Sequence, residues 1–205
     1  PGMLQKLEAQ RKLFTKQEQK DYADGQLSIL RALLDLIARY CTAASDAGNQ
    51  EGAESLTRLI SDKPRSFRDA LQMQRIIHFT MWCSGNYHNT LGRFDQYVYP
   101  YYKKDLEEGR ITREEALEIV ECFFIKCNEL NKLRSWPDTE FFLGYQMFIN
   151  LAIAGQTVDG KDATNEVSHL CVEACENVRL FTPSVSIKWF EGTSDAFMMK
   201  ALKAA

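Results

Sequence analysis

The stretch from Thr90 to Ala116 constrains the fold most, because several of its residues have strong and opposing local preferences. Pro100 lacks a backbone N–H but has a helical φ, so it favours the first turn of a new helix over the middle of an old one. Gly109 is the residue type that accepts left-handed geometry just past a helix end. The stretch therefore predicts a short helix over residues 93–99, an interruption at Pro100, and a second helix over residues 101–108.

A further helix is predicted to begin after Thr112. The Thr112 hydroxyl can cap its first turn, and Glu115, three residues later, can reach back to complete a capping box. Apolar residues then recur at helical spacing, which is typical of a helix with one wide buried face. These residues are Ala116, Ile119, Val120, Phe123, Phe124, Cys127 and Leu130.

The sequence before this stretch also predicts helices. Residues 1–24 are polar and helix-prone, and Gly25 is expected to end that helix. Residues 27–41 carry leucines at helical spacing, and residues 54–60 predict a shorter helix. Ser66 and its partner Asp69 are expected to cap a helix that extends to about Trp82.

The sequence changes character after Trp136 and Pro137. Residues 147–154 are short and apolar, and residues 183–190 alternate, so each predicts a strand. Between them, residues 164–180 predict a helix, and Ser194 begins a last one. A strand–helix–strand order with many helices indicates a helix-rich α/β fold, part of a barrel or sheet, because two strands do not form a stable sheet alone.

Composition limits the class of protein. The 205 residues suit one domain, and 45% hydrophobic with 26% charged residues is ordinary soluble composition. A net charge of -3 without a basic patch argues against nucleic-acid binding. No apolar run reaches the ~18 residues that cross a bilayer. The N-terminus has no signal-peptide core, and the six cysteines include no Cys-x-x-Cys pair, so a reduced, cytoplasmic protein is expected.

Three short segments resemble the glycyl radical enzymes, the pyruvate formate-lyase-like superfamily of anaerobic lyases, dehydratases and decarboxylases. The segments are Gly92-Arg93-Phe94-Asp95-Gln96-Tyr97, Tyr99-Pro100-Tyr101-Tyr102 and Gly109-Arg110-Ile111-Thr112-Arg113-Glu114-Glu115-Ala116. The resemblance begins at about Pro64. It implies that residues 64–205 are an incomplete α/β barrel domain of this type, with residues 1–63 as peripheral helices.

The resemblance also implies a radical reaction whose two central residues are not recognisable here. In this family a backbone glycyl radical takes hydrogen from a cysteine thiol, which then takes hydrogen from the substrate. Cys171-Val172-Glu173 imitates the cysteine motif without its glycine, and Gly144-Tyr145 imitates the radical loop without its Arg-Val pair. We therefore expect an interior fragment with no catalytic residue, inactive alone, in which Cys171, Cys175 and His169 do not form a metal site.

Substrate-pocket positions can still be transferred from the family. The residues just before Gly92 reach the substrate in relatives, which places Tyr87 and His88 at the pocket; alternatively, they only end the preceding helix. Phe142 and Phe148 match aromatic residues that wall the chamber, although plain core packing would explain them equally well. Gly92, Arg93 and Asp95 are expected to act structurally, with carboxylate binding by Arg93 as the alternative.

The family implies partners and cofactors as well. The parent enzyme would act on a small molecule and carry a radical installed by an S-adenosylmethionine-dependent iron–sulfur activase. This chain would pack against the remainder of the parent chain, and the parent would form a homodimer. Two alternatives stay open. One is a formate C-acetyltransferase fragment, and the other is a non-enzymatic remnant that serves as a scaffold or partner-binding module. His78 and His169 are interpreted as ordinary core or surface histidines.

Overall fold

The computed structural model describes residues 2–85, 89–129, 135–142 and 149–204, with only the backbone of Phe142. The chain divides into two compact units, residues 1–65 and residues 66–205. None of the described helices is both long enough and apolar enough to cross a membrane.

The first unit is built on a long central helix. Helix α1 covers Gly2–Arg11, α2 covers Gln17–Asp46 and α3 covers Gln50–Ser61, and both α1 and α3 pack against α2. The prediction that Gly25 ends a helix is wrong, because α2 continues through it. A glycine inside a helix costs only about 0.5–1 kcal/mol. Burial of Ala23 and Leu27 on either side outweighs this cost.

The second unit combines helices with parallel strands. Its elements in chain order are α4 (Phe67–Cys83), α5 (Phe94–Glu107), α6 (Arg113–Asn128), α7 (Trp136–Phe142), β1 (Asn150–Ala154), α8 (Glu166–Val178), β2 (Ser184–Lys188) and α9 (Asp195–Ala204). The helix-rich α/β class is confirmed, as are the strands within the described residues. Helix α7 was not predicted.

Pro100 does not interrupt the helix, contrary to the prediction. Helix α5 runs continuously from Phe94 to Glu107 with Pro100 inside it. Phe94, Val98 and Tyr102 are spaced by four residues, lie on one face and are all almost fully buried. An interior proline costs about 3 kcal/mol, whereas each buried side chain of this size contributes roughly 1.5–3 kcal/mol. Packing on both sides of Pro100 therefore outweighs its local preference.

The predicted helix boundaries that follow are confirmed. Gly109 has a φ of +66°, its N–H donates to Leu106 O, and the N–H of Arg110 donates to Asp105 O. This pair of bonds is a Schellman motif. Thr112 and Glu115 form both halves of the capping box at the start of α6, and the Ser66 side chain accepts the N–H of Asp69 at the start of α4. Local polar chemistry thus sets these ends.

Three neighbouring parallel segments form the sheet region. Strand β1 pairs with β2 in parallel, with Asn150 opposite Ser184 and Ala154 opposite Lys188. On the other side of β1, Leu91 N–H donates to Asn150 O at 2.7 Å, and Ala152 N–H donates to Gly92 O at 2.8 Å. Residues 91–93 therefore extend the sheet at β1, and Arg93 then precedes the first residue of α5.

The core of this unit lies between β1 and its helices. Leu151 and Ile153 of β1 are fully buried, together with Leu170 of α8. The rings of Phe94 and Phe123 stack with centroids 5.3 Å apart, which joins α5 to α6. Helices α5 and α6 both pack on α8, and α5 packs on β1. The start of α5 is thereby fixed against the end of β1.

Candidate functional site

A clamp at the end of β1, formed by Arg93 and Asp95, holds the backbone of Ala154. Nη2 of Arg93 donates to Ala154 O at 2.7 Å, and Nη1 donates to Gln156 O at 2.9 Å. The Asp95 carboxylate accepts the N–H of Ala154 at 2.7 Å. Both polar backbone groups of Ala154 are therefore bound by this β1 clamp.

The β1 clamp fixes a strained conformation. Ala154 has a φ of +59°, a left-handed value that costs a residue with a Cβ roughly 1–3 kcal/mol. Gly155 follows with a φ of +86°, and a Cβ placed there would lie 2.9 Å from Cβ of Lys188 in β2. The chain thus turns sharply out of β1 because the clamp supplies contacts that offset the strain.

Asp95 also connects α5 to α8. Its side chain is completely buried, and Oδ2 additionally accepts the Ser168 hydroxyl at 2.5 Å. Asn165, which caps α8 together with Ser168, donates through Nδ2 to Asp95 O at 3.3 Å. Burial raises the pKa of Asp95, and the hydrogen bonds from Ser168 and Ala154 offset part of that rise. Oδ1 has no hydrogen-bond partner among the described residues.

The predicted pocket residues fall largely outside the described residues. Tyr87, His88 and Phe148 lie outside them, and Phe142 is the last residue of α7, described by its backbone alone. The structure therefore does not test these four positions. Gly92, Arg93 and Asp95 are described, and they meet at β1.

The described neighbours of those positions lie at one edge of the sheet. Asn89 is 5% exposed and directly follows His88, and Ile149 is 1% exposed and directly follows Phe148. Leu91 lies two residues after Asn89, and Asn150 directly follows Ile149. The N–H of Leu91 donates to Asn150 O. Because the two segments are parallel, the chain enters both at the same edge.

A second polar cluster, Arg75 and His78, lies on α4 and will be called the α4 cluster. His78 is 2% exposed, yet neither ring nitrogen has a hydrogen-bond partner among the described residues. Burial lowers the pKa of His78, and the Arg75 charge lowers it further. The backbone of Asn89 lies near the ring and partly offsets this lowering of the pKa, without reaching the geometry of a full hydrogen bond. His78 is thus a core histidine, as the sequence predicted, but its ring nitrogens are not hydrogen-bonded within the described residues.

Arg75 was not identified from the sequence. Its Nε and Nη1 are buried and lack hydrogen-bond partners within the described part of the chain. Its guanidinium carbon lies 5.9 Å from the centroid of the Phe79 ring, which stacks in turn on Trp82. The spacing of Arg75 and His78, three residues apart on a helix, is visible in the sequence. The lack of partners is not.

Cys127, Cys171, Cys175 and His169 are packed within the second unit. Cys171 is fully buried in α8, and burial raises its pKa well above the usual value. Burial also raises the pKa of Cys127 to about 12 and that of Cys175 to about 11, so all three stay as thiols at neutral pH. His169 packs edge-on against Phe197. Among the described residues, no three His, Cys, Asp or Glu side chains are grouped as metal ligands.

Comparison with known proteins gives relatives of one kind. The chain is 34% identical over 151 residues to the probable dehydratase YbiW of Escherichia coli, covering 71% of this chain and 19% of the relative. It is 34% identical over 152 residues to the 4-hydroxyphenylacetate decarboxylase glycyl radical subunit of Clostridioides difficile, covering 72% and 16%.

Solved structures agree over almost the whole chain. The B12-independent glycerol dehydratase of Clostridium butyricum superposes with a TM-score of 0.92 at 30% identity, over 99% of this chain and 28% of that one. A Roseburia inulinivorans protein of 1,2-propanediol dehydration gives a TM-score of 0.89 at 35% identity, over 99% and 26%. The predicted fold, part of a glycyl radical enzyme α/β barrel, is confirmed.

The family model extends the resemblance upstream. The chain spans less than a third of the length of the relatives described above. Within the chain, the family model named pyruvate formate lyase-like matches residues 3–205. The match therefore also includes the helices before Pro64, although the resemblance recognised in the sequence begins only at about Pro64. The chain belongs to the pyruvate formate lyase-like family of glycyl radical enzymes.

Proposed function

We propose that this chain forms one wall of the substrate chamber of a glycyl radical dehydratase, decarboxylase or lyase. The observation that carries the proposal is the shared edge of the sheet, where Asn89 and Ile149 precede two parallel, hydrogen-bonded segments. His88 and Phe148 each directly precede one of these two residues in the sequence. Residues from both segments can therefore contact one small molecule.

Each pocket residue has a distinct proposed task. His88 and Tyr87 offer hydrogen bonds to polar groups of the substrate and so orient the carbon that loses hydrogen. Phe142 and Phe148 exclude water from the chamber, which protects a carbon radical from side reactions. Gly92, Arg93 and Asp95 do not contact the substrate in this proposal and only support the wall. The reason is that Arg93 and Asp95 bind backbone groups of the chain itself.

The chemistry of the proposed reaction comes from groups outside this chain. In this family a separate activase installs the protein radical, which supplies hydrogen abstraction through a cysteine thiol. The named relatives include a probable dehydratase and a decarboxylase, which favours cleavage of a C–O or C–C bond. We accordingly propose a cytoplasmic, homodimeric parent enzyme of anaerobic metabolism, and no catalytic activity for residues 1–205 alone.

The proposal is tested on the full-length product of the gene, activated without oxygen. We expect H88Q and Y87F to lower kcat/KM by at least about tenfold, because the Gln amide does not reproduce the position of the imidazole donor and Phe lacks the hydroxyl. H169Q and Y22F serve as matched controls on α8 and on exposed α2, and should change kcat/KM less than about twofold. Equal effects at the pocket and control positions would refute the assigned wall.

The scaffold alternative has a simple test of its own. The proposal expects the native protein in its source cells to be several times larger than the 23.6 kDa of this chain. Intact mass measurement of the native protein decides this. A native, stable protein of 23.6 kDa would favour the non-enzymatic module instead.

A further inference from the structure

The α4 cluster combines a positive charge with buried nitrogens that have no hydrogen-bond partner among the described residues. A buried polar group without a hydrogen bond costs about 1–3 kcal/mol, and more when it is charged. Arg75 contributes Nε and Nη1, and His78 contributes both ring nitrogens, to this set within the described residues. Native proteins retain few such groups, and each one calls for an explanation.

Aromatic side chains of α4 hold the side chain of Arg75 in place. Its guanidinium lies over the Phe79 ring, which stacks on Trp82 at 5.9 Å and 22° between planes. Phe79 and Trp82 pack against the core of residues 66–205. An arginine supported by an aromatic face keeps its donors available for a ligand. The α4 cluster is therefore organised before any ligand arrives.

The α4 cluster also lies close to a described residue that adjoins the proposed pocket positions in the sequence. His78 approaches the backbone of Asn89, the residue that directly follows His88. Cys127 of α6 lies within the electrostatic reach of Arg75, and its thiol stays neutral because burial raises its pKa to about 12. Nε and Nη1 of Arg75 donate to no carboxylate oxygen in the described part of the chain.

We propose that Arg75 and His78 bind the carboxylate of a small-molecule substrate at the edge of the chamber wall. One guanidinium charge and one neutral imidazole donor match a monovalent oxyanion, whereas a phosphate dianion would require a second cation. Arg93 is less suited to this role, because both of its Nη groups donate to backbone carbonyls and only its Nε lacks a partner among the described residues. This inference rests on the proposed function and assigns its substrate a class.

The test measures binding without turnover. The full-length gene product, not activated, is titrated with acetate and separately with acetamide, its neutral analogue of the same shape, and binding is followed by saturation-transfer NMR of the methyl signal. We expect saturable binding of acetate and a Kd for acetamide at least about tenfold higher. Equal binding of the two probes, or no acetate binding, would overturn the inference.

Variants locate the site. R75Q should raise the Kd of acetate by at least about tenfold, whereas R39Q, at an exposed arginine of α2, should leave it unchanged. If R75Q does not fold, R75K and H78Q replace it, and a Kd unchanged in both would overturn the inference. Acetate binding in a protein that shows no turnover after activation would refute the proposed function alone. Turnover without acetate binding would refute only the inference.

Discussion

Two half-buried arginines of the second unit, Arg93 and Arg75, differ in what their donors contact. At the β1 clamp, Arg93 donates through both Nη groups to backbone carbonyls that follow a strained residue. In the α4 cluster, Nε and Nη1 of Arg75 have no hydrogen-bond partner among the described residues. A side-chain donor that is hydrogen-bonded to the backbone stabilises the fold. A buried donor without a partner does not stabilise the fold and is available to bind a ligand. Substitution should therefore affect stability in opposite directions at the two places.

Asp95 is expected to give the largest effect. D95A leaves the N–H of Ala154 and the hydroxyl of Ser168 without an acceptor, each at a cost of about 1–3 kcal/mol, and it releases the strained Ala154. We expect the free energy of unfolding to fall by roughly 3–5 kcal/mol in urea titrations. Trp82, Trp136 and Trp189 all belong to the second unit, so tryptophan fluorescence reports on it.

Two further variants control the Asp95 experiment. D95N keeps one acceptor oxygen and should cost about half as much as D95A. D159A changes an exposed aspartate in the same unit and should stay within about 0.5 kcal/mol of the unsubstituted chain. A loss of less than about 1 kcal/mol for D95A would show that the β1 clamp does not hold the fold.

Arg93 should follow with a smaller loss. R93M removes the charged donors from Ala154 O and Gln156 O, and hydrogen bonds to charged groups contribute about 1.5–3 kcal/mol each. Because Gln156 O is the more exposed acceptor and water can replace part of that bond, we expect a total loss of about 2–3 kcal/mol. R93K restores one donor and should recover part of the loss, as measured by the same urea titration.

His78 should respond with the opposite sign. H78F replaces a buried ring that has no hydrogen-bond partner among the described residues with an apolar ring of similar size. Removing unpaired buried polar groups is neutral or stabilising, so we expect the free energy of unfolding to rise by up to about 1 kcal/mol. H169F, at a partly buried histidine of α8, is the matched control. A loss above about 1 kcal/mol for H78F alone would mean that His78 has a structural partner.

The sequence could predict what depends on neighbouring residues. Capping at Ser66 and Thr112 and the left-handed turn at Gly109 are local, and the structure confirms them. The predictions at Gly25 and Pro100 failed because the packing of α2 and α5 outweighed a local preference. Local chemistry is a sound guide to where helices end, but not to where a packed helix continues.

The site was less accessible to sequence reasoning than the fold. The family motif pointed to Gly92, Arg93 and Asp95, but Ala154, which Arg93 and Asp95 both bind, lies 61 residues beyond Arg93 and carries no signal of its own. Ser168 could have been found as part of the cap of α8, though not as a donor to Asp95. Arg75 could not be found, because an unpartnered donor is defined by surroundings that only the folded chain supplies.

The smallest expected effect concerns an ion-pair group on the surface of the same unit. Arg113 lies 2.7 Å from both Glu166 and Glu173, and Lys200 lies 3.1 Å from Glu173. The hydrogen bond from Arg113 lowers the pKa of Glu173 from 4.5 to about 2. Because the pKa is lower in the folded state, Glu173 stabilises the fold fully above pH 4.5, and this stabilisation is lost as the pH falls toward 2.

E173Q measures this contribution directly. Solvent screens a partly exposed pair, so we expect a loss on the order of 1 kcal/mol at pH 7 that shrinks between pH 4.5 and about 2. E118Q, at an exposed glutamate of α6, should show no such dependence on pH. If the loss for E173Q were the same at pH 3 and pH 7, the ion pair would not be its source. Arg113 would then stabilise the fold through packing of its side chain alone.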